Sequence, residues 1–131
     1  MDIRPDTPLD FITNAFADAD QAGKSVIQFL HLDVDTPDSF YLNAIQSLNC
    51  NRVAFVGQKE LKVVPTERIE PIAAVLRDRH KNITIAAGTD AFFTELNRNR
   101  LEPQMADAFA FSVNPQVHAF DNLSIVETLE G

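Results

Sequence analysis

Four short apolar runs, each strand-length and each separated from the next by a segment with helical spacing, constrain this chain more than any other feature. They are Ser25–Leu32 "SVIQFLHL", Arg52–Val56 "RVAFV", Asn82–Ala87 "NITIAA" and Ala108–Val113 "AFAFSV". Most are rich in Val, Ile or Phe, and they are too continuous for a sheet with one wet face. Continuous apolar strands are the mark of burial on both faces, which parallel strands acquire when helices cover them.

The intervening segments fit that reading. "DTPLDFITNAFADADQAGK" offers Thr7 as N-cap, Pro8 at the first helical position and Asp10 where its charge favours the helix start. Leu9, Ile12, Phe16 and Ala19 then share one face, and Gly23 supplies a stop. Thr36-Pro37-Asp38 repeats the device, with Phe40, Ala44 and Leu48 as its stripe. A third helix is expected over Thr66–His80 with Ile69, Ile72, Ala73 and Leu76 inward, and Pro71 as an alternative start. A last helix is expected from about Asp121–Ser124. Strands alternating with helices imply right-handed crossovers and a parallel sheet. The fold class is therefore α/β, with four parallel βα units in one domain over residues 1–131.

Bulk chemistry narrows the function. A net charge of −8 and no Lys/Arg cluster argue against nucleic acid as a partner. No apolar run approaches membrane-spanning length, and "MDIRPDTPLDF" lacks the pattern of a signal peptide, so a cytoplasmic location is the expectation. The single cysteine, Cys50, cannot close an internal disulfide and reads as a small buried apolar group. No GxGxxG or GxxxxGK[ST] fingerprint occurs, and no cofactor is expected.

In parallel α/β architecture, chemistry gathers beyond the carboxyl ends of the strands. There the sequence places His31, Asp33 and Asp35, then Gly57, Gln58 and Lys59. Gly88 to Arg100, "GTDAFFTELNRNR", follows the third run, and Asn114, Gln116, His118 and Asp121 follow the fourth. Gly57 and Gly88 read as tight turns at strand ends or as points of close ligand approach. Glu95 is either a general acid or base or a surface carboxylate paired with Arg98. Asn97 and Arg98 could orient a hydroxyl or a carboxylate, whereas Arg100 reads as a solvated charge. His118 is a base or a hydrogen-bonded structural imidazole, and Asp121 a site carboxylate or a helix N-cap. Asp90, Glu95, His118 and Asp121 could together hold a divalent cation, but no ligand spacing supports one, so no metal is expected. His31, Asp33 and Asp35 would share one face if the strand continued through "HLDVD". The other reading is a polar strand end leading into the next helix.

Two stretches carry a resemblance. "GTDAFFTELNRNR" and "SVNPQVHAFDNLSIVETL" resemble the barrel domain of the D-apionate lactonase family, sugar-lactone hydrolases related in fold to glycoside hydrolases. The matching motifs there read GTD-x-x-F-x-E-L-N-R and S-x-N-P-Q-V-H-A-F-D. The resemblance implies that the strands are consecutive staves of a (β/α)8 barrel. It carries over Glu95 and His118 as catalytic candidates, and Asn97, Arg98, Asp90 and Asp121 as substrate contacts. It implies a small sugar or lactone as substrate, with a carboxylate or imidazole activating water and Arg or Asn stabilising the oxyanion. A complete barrel takes about 250 residues. Four strands make a half-barrel, which would need a second copy or the remainder of the barrel. Two other functions stay open: a non-catalytic assembly domain, and a flavodoxin-like small-ligand domain with an open strand order.

Overall fold

The computed structural model describes residues 1–46, 51–57, 62–102, 104–113 and 123. Among the described residues, five parallel strands alternate with four helices in the order β1 (Asp2–Ile3), α1 (Leu9–Gln21), β2 (Gln28–Leu32), α2 (Asp38–Gln46), β3 (Arg52–Gly57), α3 (Thr66–Arg79), β4 (Thr84–Phe92), α4 (Phe93–Arg98) and β5 (Ala108–Ser112). The sheet order is β1-β2-β3-β4-β5, each strand pairing parallel with its sequence neighbour. Right-handed crossovers that always step the same way leave all helices on one face of the sheet. That is the arrangement of a barrel wall. It differs from the doubly wound orders of a flavodoxin-like sheet, which reverse direction part-way.

The helix-facing side of the strands and the inward stripes of the helices form the core. Leu30 stands opposite Phe55, and Val53 opposite Ile85, so large apolar side chains line up across the sheet. Ile12 of α1, Tyr41 and Ile45 of α2, and Ile69, Ile72 and Leu76 of α3 close over them, all buried. Each such side chain contributes about 1.5–3 kcal/mol by leaving water. The opposite side of the sheet carries many small residues, among them Ala54, Ala86, Gly88, Ala108 and Ala110, with Phe29, His31, Arg52 and Val56 as larger exceptions.

Several local expectations change. The wall has a fifth strand, because Asp2 and Ile3 pair with Phe29 and Leu30. Thr7 does not cap α1: its hydroxyl accepts from the Arg4 N–H instead, and Pro8 holds the cap position. Leu9 is half exposed and only Ile12 of the expected stripe is fully buried. Gly23 does end the helix, at φ +64°, with Lys24 N–H donating to Ala19 and Gly23 N–H to Asp20. α3 begins at Thr66 and runs through Pro71, so the proline does not set its start. Its inward face is the expected one. The helix expected near Asp121–Ser124, Leu48 of the α2 stripe and Cys50 lie outside the described residues.

Candidate functional site at the carboxyl end of the wall

β4 is where the sequence misleads most. Gly88 does not follow the strand; the strand continues to Phe92. Two ladders hold it. Gly57 of β3 pairs with Thr89, and Ser112 of β5 pairs with Phe92. Between the pairs Gly88–Ala110 and Phe92–Ser112, β4 carries two more residues than β5, and the excess is taken up as an irregularity. Gly88 is needed there because a Cβ would collide with the carbonyl oxygen of Ala110. The bulge is fixed by two side chains: Ala91 N–H donates to Thr89 Oγ1 at 3.0 Å, and the Ser112 hydroxyl donates to the Asp90 carbonyl at 2.6 Å.

The consequence is the position of Asp90. Its carboxylate faces His31 of β2 across the intervening β3, with Oδ2 3.8 Å from Nδ1. In a flat sheet, strands two apart are separated by about 9–10 Å. The two side chains reach toward each other across that gap on the small-residue face of the sheet. On the other side of the imidazole, Nε2 lies 2.9 Å from Asp2 Oδ1. A carboxylate only accepts, so Nε2 carries the proton and donates. That hydrogen bond holds the Asp2 carboxyl below its ordinary value, outweighing the opposing effect of partial burial. His31 itself is buried, whereas the side chains of Asp2 and Asp90 are 65% and 49% exposed. Its backbone is fixed from the helix side, where the buried Tyr41 hydroxyl donates to the His31 carbonyl at 2.9 Å.

These three side chains line a cavity of about 350 Å³ with Phe29, Thr89 and Ser112 among its walls. The cavity runs along the small-residue face from Asp2 and Phe29 to Asp90 and Ser112, toward the carboxyl ends of the strands, where parallel α/β folds place their ligands. The two carboxylates address opposite ring nitrogens. Among the described residues, no group of three His, Cys, Asp or Glu side chains is arranged to hold a metal ion.

Of the expected site residues, Asp90 lines this cavity. Glu95, Asn97 and Arg98 stand on α4, outside it. Glu95 is ion-paired with Arg98 at 2.9 Å and with Lys62 at 3.8 Å, and Asn97 Oδ1 accepts from Arg100 at 3.4 Å. Phe93 packs on Phe111, ring centroids 5.2 Å apart. His118 and Asp121, with Gln58, Lys59, Asn114 and Gln116, lie outside the described residues. "HLDVD" does not act as one face, because β2 ends at Leu32. His31 enters the cavity, while Asp33 turns back to accept from the N–H groups of Asp35 and Thr36 at 3.2 and 2.8 Å. Asp2 is the site residue that the sequence reading missed. Its only local signal is a carboxylate beside a lone apolar residue ahead of a Pro-initiated helix.

Parallel staves in sequential order, with polar groups converging at their carboxyl ends, define a segment of a (β/α)8-type barrel. The chain belongs to the D-apionate lactonase family: the model of that family's TIM barrel domain matches residues 42–131. It is similar to the D-apionate lactonase of Brucella anthropi, 37% identical over 62 residues, a match that covers 47% of this chain and 10% of that protein. The chain thus matches about a tenth of the length of that curated relative. No solved structure matches the chain. No helix among the described residues is long and apolar enough to cross a membrane.

Proposed function

We propose that this chain forms part of the substrate mouth of a barrel that hydrolyses a sugar lactone. The observation that carries the reading is the convergence of Asp2, His31 and Asp90, from three different strands, on one cavity at the carboxyl end of the wall. Asp90, about half exposed, touches the substrate. It takes a proton from water as the water oxygen bonds to the lactone carbonyl carbon. When the ring C–O bond breaks, the proton passes from Asp90 to the departing alkoxide oxygen. The product is a hydroxy acid, which ionises to solvent. His31, whose Nδ1 is buried without a hydrogen-bond partner 3.8 Å from Asp90 Oδ2, packs beside that carboxylate, and Asp2 orients the ring.

The other site residues enter this reading from the rim. Glu95 and Arg98 reach substrate only when their ion pair opens. Asn97 offers a neutral amide to a hydroxyl. His118 and Asp121 follow Ser112 in sequence and lie outside the described residues; the family resemblance alone makes them candidates. The wall described here has five strands, so two copies would supply ten. The remainder of a longer polypeptide, contributing three staves, completes eight more simply.

The test is proton release from a sugar lactone at constant pH by the intact protein. Asp90→Asn is expected to lower kcat by about 10²–10⁴-fold, with the fold retained. Glu95→Gln separates the rim from the cavity. Full activity in Asp90→Asn, or its loss only in Glu95→Gln, overturns the assignment of the proton transfers to Asp90.

A further inference from the structure

The cavity has an uneven charge, and the unevenness bears on which ligands it keeps. Two carboxylates, Asp2 and Asp90, present oxygens to it, and the imidazole between them is buried. The described lining includes no lysine or arginine. The amino group of Met1, also on the lining, is engaged 2.6 Å from the Ile27 carbonyl and lies on the Asp2 side. Among the described residues, the basic side chain beside Asp90 is that of His31, at a distance too long for a hydrogen bond. Lys62 and Arg98, the cations near the following helix, are occupied by Glu95.

We infer that Asp90 is a charge filter: the site accepts neutral, hydroxyl-rich rings and rejects their anionic counterparts, including its own ring-opened product. The inference rests on the lactone reading above. A carboxylate accepts hydrogen bonds from ligand hydroxyls, which favours a polyol ring. It repels a second carboxylate held beside it in the same cavity. The timing is favourable. Asp90 regains its negative charge when it returns the proton to the leaving oxygen, the moment at which the product acid forms and ionises. Repulsion therefore appears only after the ring has opened, and it hastens release.

Three probes separate the possibilities by calorimetric titration of the intact protein: ribonolactone, ribonate, and anhydroribitol, a ring ether that cannot open. Wild type is expected to bind anhydroribitol and to bind ribonate more weakly. Asp90→Asn is expected to tighten ribonate by about 10-fold and to leave anhydroribitol within about 2-fold. In wild type, the preference for anhydroribitol is expected to shrink as salt rises from about 0.05 M to about 0.5 M. Unchanged ribonate affinity in Asp90→Asn, an equal change for both ligands, or a salt-independent preference overturns the filter. Absence of anhydroribitol binding to wild type overturns the lactone reading beneath it.

Discussion

Replacing Gly88 by alanine probes how the wall makes its cavity. Gly88 pairs with Ala110, and the three atoms nearest to an added Cβ are all backbone atoms of Ala110. A neighbouring side chain could rotate away, but a strand cannot. Relief requires β5 to slide or lift from β4, which loosens the Gly88–Ala110 pairing and the Ser112 bond to the Asp90 carbonyl. Overpacking of this kind costs about 1–3 kcal/mol, and one lost hydrogen bond adds about 0.5–1.5 kcal/mol. The expected destabilisation is therefore about 2–4 kcal/mol, concentrated at the β4–β5 margin. Gly23→Ala is the control. Nothing lies within 4 Å of a Cβ there, and the penalty comes from φ +64° alone, about 1–2 kcal/mol. Urea midpoints at unchanged m-value measure both, and amide exchange across Ala108–Ser112 locates the effect. If Gly88→Ala unfolds within about 0.5 kcal/mol of wild type with β5 protection intact, the close approach described for this strand pair is wrong.

Three further outcomes follow from the packing and the titrating groups. Asp2→Asn is expected to destabilise at neutral pH; a carboxyl held below its ordinary 3.8 contributes above that value and loses its contribution as pH falls through the native value, so the difference from wild type should vanish in acid, and a pH-independent difference would contradict the His31 hydrogen bond. Tyr41, the one tyrosine of the chain, is raised above its ordinary 10.0 by burial; the stability of its neutral phenol is complete below pH 10 and is lost above it, so phenolate absorbance should rise only with alkaline unfolding, and reversible titration of the folded protein at or below 10 would refute its burial. Ile72→Ala, in the fully buried stripe of α3, is expected to cost about 2–5 kcal/mol by denaturant titration, against less than about 0.5 kcal/mol for Leu9→Ala on the half-exposed turn of α1.

β2, β3, β4 and β5 were all legible as continuous apolar runs, but two-sided burial accounts only for the inner ones: β5 is apolar and largely exposed, at the margin of the described sheet. β1 escaped because two residues have no period; it is a strand only because Phe29 and Leu30 offer it a ladder. The far end of β4 escaped for the opposite reason. Gly88, Thr89 and Asp90 are good turn formers locally, but pairing with Gly57 on one side and Ser112 on the other overrides that preference. His31 was visible as a polar group at a strand end. Its partners were not, since Asp2 lies 29 residues away in sequence and Asp90 meets it from two strands away in a sheet whose strand order no local pattern encodes. Glu95 illustrates the converse. Spacing alone put an arginine three residues on, and that intrahelical pair is what forms.

Each stave hydrogen-bonds to the one made just before it, with partners about 20–30 residues apart. Such a sheet can be assembled by accretion, in the order in which a ribosome delivers it. Every newly emerged strand caps the raw margin left by its predecessor, and no step waits for a distant piece of chain. The last margin at any moment is the exposed one, so arrested synthesis would leave intermediates that differ in length yet share the same sticky flank.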